Sequence, residues 1–255
     1  MSNLITITTD FGYQDWYVGA MKGVICSINP ESKIVDISHS VQAQDVRGGA
    51  LVLEQSTEYF PAGTVHLCVV DPGVGSQREP CAFLLSNQQI YVVPDNGLIT
   101  LLLQKHSILK AKVLENPEYR LDTLSNTFHG RDVFAPAAAH LSQGLDFEKL
   151  GSDLDNPVLL DIKNPVLEGY ELKGEIIYVD VYGNCITNIK EKEVLRLKAK
   201  DWVLEMQTTY SSVGTGEALG YVGSSNYLEI AVNQGHAASQ LQLEVGDEVV
   251  AILNN

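Results

Sequence analysis

An apolar run, Leu67 to Val70, ends abruptly at Asp71, and the chain then turns through Pro72-Gly73-Val74-Gly75 before reaching Arg78. A second segment, Phe128-His129-Gly130-Arg131-Asp132, places a histidine just ahead of a helix-like run from Arg131 to Leu141. A carboxylate, a guanidinium and an imidazole at the edges of buried elements suit one task, which is to hold a water molecule and polarise it. An acid at the end of so apolar a strand is costly unless paired, and Arg78 is the nearest candidate partner. Each piece also has a plainer local reading. Asp71-Pro72-Gly73 suits a tight turn whose glycines supply positive φ. His129 suits a satisfied core histidine, and Arg131 and Asp132 suit an ion pair or cap at the start of the helix.

Groups separated this far in sequence need a framework to bring them together. Leu4 to Thr8 reads as a strand, and Asp15 to Ile28 has helical periodicity through Tyr17, Val18, Met21, Val24, Ile25 and Ile28. Lys33 to Ile37 is a second strand, and Asp45 to Tyr59 a second helix with Val46, Ala50, Leu53 and Tyr59 on one side. Strands follow at Val65 to Val70, Ala82 to Leu85 and Gln89 to Val93, then a short helix from Gly97. This β-α-β-α-β order predicts an α/β N-terminal domain with an open, mostly parallel sheet, over residues 1–160. Ligands on such sheets bind at the carboxyl ends of the strands. Asp10, Asp36, His39, Asp71 and Asp95 all fall at or just past those ends. Asp10, in Thr8-Thr9-Asp10-Phe11-Gly12, either closes a turn or accepts two hydrogen bonds from a vicinal diol, as acids after strands do with ribose.

The pattern changes near Asn156-Pro157 and Asn164-Pro165. Beyond Tyr170 short β-rich runs take over: Gly174 to Val179, Cys185 to Ile189, Trp202 to Met206, Tyr227 to Val232 and Glu248 to Leu253. Residues 168–255 therefore read as a C-terminal all-β, barrel-like domain. Val179-Asp180-Val181-Tyr182-Gly183-Asn184 and Gly223-Ser224-Ser225-Asn226 are turns rich in side-chain donors and acceptors, which suits recognition of a small zwitterion and is also common in hairpins.

Composition narrows the function classes. A chain of 255 residues that is 45% hydrophobic and 19% charged is of ordinary globular type. Its net charge of −15 argues against a nucleic-acid partner. Its longest apolar stretches, such as Ile99 to Leu103, are too short to span a membrane. The N-terminal residues show no basic segment or cleavage site, and the four cysteines lack CxxC spacing, so reduced thiols and a cytoplasmic location are expected. Neither GxGxxG nor GxxxxGK[ST] occurs, and Ser224-Ser225 lacks the nucleophile-elbow pattern. The acidic strand ends are suitable metal ligands, which leaves a metal-dependent hydrolase of nucleosides or phosphoesters as one possibility, but no HxH or HxxxH pair offers local chelation.

Taken together, the segments Thr9-Asp10-Phe11-Gly12, Val35-Asp36-Ile37-Ser38-His39, Val70 to Gly75, Pro94-Asp95-Asn96-Gly97, Phe128 to Asp132, Asp180 to Asn184 and Ser224 to Ala231 resemble the S-adenosyl-L-methionine hydroxide adenosyltransferases, relatives of the fluorinase and chlorinase. The resemblance spans nearly the whole chain. It implies an α/β domain followed by a β-barrel domain, a homotrimer with sites between subunits, and S-adenosyl-L-methionine as substrate, with no metal and no other cofactor. The reaction implied is attack of water or hydroxide on ribose C5′, giving adenosine and L-methionine. Asp71, Arg78 and His129 match the Asp-Arg-His set of the hydrolase branch: His129 and Asp71 would orient and partly deprotonate the water, and Arg78 would fix Asp71. By the same matching Asp10 would bind the ribose hydroxyls, Asp15 and Asp180 the methionine ammonium, and Ser224 and Ser225 its carboxylate. Asn184 and Tyr182 would meet the adenine edge and face. Two positions depart from the family pattern: Gln44 stands where relatives often carry an aromatic ring, and Asn226 where glycine is common. A halogenase of the same fold, and a binding protein for S-adenosyl-L-methionine or adenosine without catalysis, are the alternative readings.

Overall fold

The computed structural model describes residues 2–254, and the chain divides into two units, Met1–Leu160 and Asp161–Asn255. In the first unit, strand β1 (Leu4–Thr9) leads to helix α1 (Tyr17–Ile28), whose buried Val18, Met21 and Ile25 recur at helical spacing. The helix gives way at Asn29, where the following Pro30 disfavours helical backbone. Strand β2 (Lys33–Ser38) precedes helix α2 (Val46–Thr57), whose Asp45 cap accepts a 2.9 Å hydrogen bond from the Gly48 amide. Strands β3 (Val65–Val69), β4 (Pro80–Leu85) and β5 (Ile90–Pro94), the short helix α3 (Thr100–Leu103) and strand β6 (Ile108–Val113) follow.

These strands form one sheet in the order β2-β1-β3-β5-β4-β6. The pairs β1–β2, β1–β3 and β3–β5 are parallel, whereas β4 runs antiparallel to both of its neighbours. The sheet is thus mostly parallel, as the alternation of strands and helices predicted, with an antiparallel margin that the alternation did not show. Both faces are covered. Ile5, Ile7, Leu67 and Val69 pack with Met21, Ile25 and Phe134 on one face, and Cys68 and Val70 pack with Leu53, Phe83 and Tyr91 on the other. A side chain at Gly49 would lie 3.1 Å from Val70 and closer still to Leu98, so this small residue lets α2 sit tight against the strand end that carries Asp71.

The run predicted as a helix from Arg131 to Leu141 is in fact a π-helical turn, Gly130–Phe134, followed by helix α4 (Ala135–Ser142). Pro136 is the cause. It has no amide hydrogen for the Asp132 carbonyl, which instead accepts a 2.9 Å bond from the Leu121 amide. The Ala135 amide reaches back to the Gly130 carbonyl.

The second unit contains β7 (Val166–Glu168), β8 (Glu171–Val179), β9 (Cys185–Thr187), β10 (Val194–Ala199), β11 (Trp202–Gln207), β12 (Ala218–Val222), β13 (Leu228–Val232), the four-residue helix α5 (Ala237–Gln240) and β14 (Glu248–Leu253). Seven strands run in the order β14-β10-β11-β12-β13-β9-β8 and close through the β14–β8 pairing into a barrel, with β7 attached to β8. Leu197, Ala199, Val249 and Ala251, at alternate positions of neighbouring strands, fill its interior with Ile176, Leu204, Leu228 and Ile230. Strands β10 and β12 were absent from the sequence reading. The alternating charges of β10 and the central Gly220 of β12 hide their β character.

Candidate active site

The parallel register aligns Thr9 with Val69 and Leu67 with Val92, so the carboxyl ends of β1, β3 and β5 share one edge of the sheet. Asp10, Asp71 and Asp95 follow those ends directly or nearly so. Asp95 serves the fold: its carboxylate accepts a 2.9 Å bond from the Val158 amide, and burial raises its pKa. Asp71 is engaged differently. Arg78 Nε lies 2.9 Å from Asp71 Oδ1 and 3.0 Å from Oδ2, and Arg78 Nη2 also donates to Oδ2. The two side chains are only 5% and 8% exposed, which makes this a nearly buried ion pair. The connecting turn depends on Gly75, at φ +78°, where a side chain would collide with the Asn126 carbonyl at 2.5 Å. Phe134 of the π turn lies beneath the guanidinium, 5.2 Å from ring centre to Cζ.

His129 completes the group. It enters the π turn immediately before Gly130, and its Nδ1 lies 3.0 Å from Arg78 Nη2. A guanidinium can only donate, so Nδ1 accepts, and in the neutral ring the hydrogen sits on Nε2. Burial, then the Arg78 charge, push the His129 pKa below the ordinary histidine value. The cluster therefore offers a water molecule a carboxylate acceptor and an imidazole N–H donor. Arg78 Nη1 is buried with no hydrogen-bond partner among the described residues. The neighbouring Arg131 and Asp132 have a structural role: Asp132 is fully buried and accepts from Arg131 Nε at 2.5 Å and from the Ser125 amide at 2.7 Å.

Asp10 Oδ2 accepts a 2.7 Å bond from the Gln44 amide, while its Oδ1 is buried without a partner among the described residues. Gln44 itself sits at φ +67°. Asp15 is exposed in the loop before α1. Nearby, Phe11, Trp16, Tyr17, Phe128 and Arg131 line a cleft of about 410 Å³. Sequence pattern does not announce this aromatic wall, although Phe11 and Phe128 each belong to one of the motifs singled out above. Among the described residues no group of three or more His, Cys, Asp or Glu side chains is placed to hold a metal ion, and no helix is long and apolar enough to cross a membrane.

In the barrel unit, Asp180, Tyr182 and Asn184 share the turn between β8 and β9. Asp180 Oδ1 accepts from the amides of Tyr182 (2.9 Å) and Asn184 (2.8 Å), and its Oδ2 accepts from Asn184 Nδ2 at 2.9 Å. With its amino group turned toward Asp180, Asn184 leaves its carbonyl for another partner. Tyr182 is 74% exposed, and with Asn184, Tyr210, Val232, Gln234 and Gly235 it lines a cleft of about 390 Å³. Behind Asn184 runs a chain that the sequence did not show: Tyr210 Oη is 2.7 Å from Tyr221 Oη, which donates to the buried Glu229. Ser224 and Ser225 occupy the β12–β13 hairpin turn, closed by a 2.8 Å bond from the Gly223 amide to the Tyr227 carbonyl. Asn226 takes φ +63° there, so the substitution for glycine is accommodated.

Comparison with known proteins places both units. Residues 5–151 match the SAM hydroxide adenosyltransferase N-terminal domain, and residues 174–250 match the C-terminal domain of the same family. The chain belongs to the SAM hydroxide adenosyltransferase family. Among its members, the (R)-S-adenosyl-L-methionine hydrolase of Thermus thermophilus is 38% identical, over 93% of this chain and 95% of that protein. The crystal structure of an uncharacterized conserved protein from Thermotoga maritima superposes with a TM-score of 0.91 at 38% identity, covering 97% of this chain and 99% of that one. The fluorinase of Nocardia brasiliensis is more distant, at 28% identity over 96% and 95% of the two chains. Within this hydroxide adenosyltransferase framework, Asp71, Arg78 and His129 all fall in the N-terminal domain, whereas Asp180, Tyr182, Asn184, Ser224 and Ser225 fall in the C-terminal one.

Proposed function

We propose that the protein hydrolyses S-adenosyl-L-methionine to adenosine and L-methionine. The carrying observation is the Asp71–Arg78–His129 cluster, held by hydrogen bonds of 2.9 to 3.0 Å at the carboxyl edge of the sheet. A sulfonium is already an activated leaving group, so the enzyme needs no acid to assist its departure. It needs one water molecule in line with the breaking bond. His129 Nε2–H donates to that water and fixes its orientation, and Asp71 keeps lone pairs beyond those taken by Arg78 and accepts a water proton. The water oxygen bonds to C5′, the C5′–S pair returns to sulfur, and the released proton passes through Asp71 to solvent. Positioning is the larger contribution, with proton acceptance adding about 10²–10⁴-fold.

Asp10, with an unpartnered carboxylate oxygen, receives the ribose hydroxyls. The free carbonyl of Asn184 and the exposed ring of Tyr182 meet the adenine edge and face. Asp15 and Asp180 attract the ammonium of the methionine portion, and Ser224 and Ser225 its carboxylate. The enzyme uses no metal or other cofactor and works as a homotrimer with sites at subunit interfaces. The test is chromatography of purified protein incubated with S-adenosyl-L-methionine, with EDTA and chloride present, alongside light scattering for the mass. Adenosine and methionine in equal amounts from a trimeric species are expected. A halogenated nucleoside, a loss of activity with EDTA, or substrate left intact would each overturn the corresponding part of this reading.

A further inference from the structure

A second polar chain lies beside Asp10, outside the water-binding cluster. Thr9, the last residue of β1, is fully buried, and His39, just after β2, is 1% exposed. Thr9 Oγ1 lies 2.8 Å from His39 Nδ1. On the far side of the ring, Nε2 is 3.2 Å from Asp36 Oδ1, close but off the N–H axis. Asp36 Oδ2 in turn accepts from Lys22 Nζ at 2.6 Å and from Tyr13 Oη at 3.1 Å. A carboxylate beside Nε2 favours the hydrogen there, which leaves Nδ1 to accept the Thr9 hydroxyl. Burial lowers the His39 pKa and keeps the ring neutral, in keeping with that arrangement.

The backbone completes a clamp. The Gly12 amide donates to the His39 carbonyl at 2.7 Å, and the Phe11 amide donates to Thr9 Oγ1 at 3.2 Å. The residues on both sides of Asp10 are thus tied to one histidine, while Asp10 Oδ1 itself is buried with no hydrogen-bond partner among the described residues. A buried carboxylate oxygen in that condition is costly until a donor arrives.

We propose that His39 is a positioning residue for sugar recognition: by holding Thr9 and Gly12 together it aims the free oxygen of Asp10 at a vicinal diol, and so sets the preference for a ribonucleoside over a deoxynucleoside. The proposal rests on the reading of Asp10 as the ribose acceptor, but not on hydrolysis.

The test is calorimetric binding of adenosine, 2′-deoxyadenosine and 3′-deoxyadenosine to the full-length protein and to Thr9→Val, Thr9→Ser, His39→Phe and Asp10→Ala variants. The wild type is expected to favour adenosine at least about tenfold, the usual weight of a hydrogen bond to a charged group. Thr9→Val and His39→Phe should reduce that preference to within about threefold, as Asp10→Ala does, and Thr9→Ser should retain it. If His39→Phe fails to fold, Thr9→Val against Thr9→Ser still decides. An undiminished preference in Thr9→Val, or none in the wild type, overturns the proposal. Ribose preference in a protein that leaves S-adenosyl-L-methionine intact would defeat the hydrolase reading and leave this one standing.

Discussion

The two units carry their polar clusters in opposite ways. In the α/β unit, the Asp71–Arg78 ion pair and the neutral His129 come from separate parts of the chain and meet in a nearly dry setting. In the barrel unit, Asp180, Tyr182 and Asn184 lie within one turn, and a chain of hydroxyls behind Asn184 ends at a buried Glu229. The first arrangement concentrates charge and distorts the titration of a histidine. The second fixes the direction of an amide. Charge that must respond to bond breaking suits the first kind of cluster, and orienting a ligand edge suits the second. The contrast predicts that variants of the Asp71–Arg78–His129 cluster lower kcat while variants of the network behind Asn184 raise KM.

Asp71→Asn should break the first cluster most severely. The side chain keeps its shape but loses the charge that balances Arg78, and it no longer accepts a water proton. We expect kcat to fall by at least about 10²-fold, with KM within about threefold of wild type. Removing one member of a nearly buried pair should also cost about 3 kcal/mol of stability in urea unfolding. A variant that raised KM alone would erase the distinction between the two units.

His129→Ala should lower kcat by at least about tenfold, a modest demand for a group that orients the nucleophile. His129→Gln, which keeps an N–H donor, should retain more activity than His129→Ala. The pH dependence has a definite sign. The folded-state pKa of His129 is depressed, so the unfolded chain binds a proton at a pH where the folded protein does not. Stability associated with the neutral ring is present above the ordinary histidine value of about 6.5 and declines as pH falls below it. Activity should fall at still lower pH, as the folded ring takes up its proton, because a protonated Nδ1 must displace Arg78. An acidic limb that persists unchanged in His129→Gln would contradict the donor arrangement.

Barrel variants test the other half of the contrast. Tyr221→Phe interrupts the chain behind Asn184 without touching the exposed face of the cleft. Glu229→Gln is the control: burial already raises the Glu229 pKa, and the amide carbonyl still accepts the Tyr221 hydroxyl, so KM should stay near wild type there. For Tyr221→Phe, the expected result is a KM about fivefold higher, equivalent to one ordinary hydrogen bond, with kcat unchanged. A fall in kcat with constant KM would show that the barrel network takes part in the chemical step.

The parts of this structure legible in the sequence were those encoded locally. The helix starting at about Asp45, the apolar stripe Val18, Met21 and Ile25, and the β-α alternation all follow from short-range pattern. Asp71 and Arg78 were legible as a pair because only a short turn separates them. What escaped depends on contacts between distant residues. Strand β6 has its first half exposed and lies at the margin of the sheet beside β4, so its pattern carried little signal. The π turn arises because Pro136 withholds a hydrogen from Asp132. The line from Asn184 to Glu229 joins residues whose proximity no local spacing announces, whereas the grouping of His129 with Asp71 and Arg78 was legible from residue types at element edges and from the family resemblance.

The smallest expected effect concerns Asn226, where the chain departs from glycine within the hairpin that presents Ser224 and Ser225. Asn226 adopts φ +63°, and its amide donates to the Gly223 carbonyl at 3.0 Å. Asparagine tolerates the left-handed region better than most residues, yet still less freely than glycine. Asn226→Gly relieves that residual strain but enlarges the conformational freedom of the unfolded chain. The two effects oppose, so stability should change by less than about 1 kcal/mol in either direction. Because the turn geometry persists, KM should stay within about twofold of wild type. If KM instead rose as far as in Tyr221→Phe, the asparagine side chain would itself belong to the recognition surface, acting beside Ser224 and Ser225 rather than only shaping the turn that presents them.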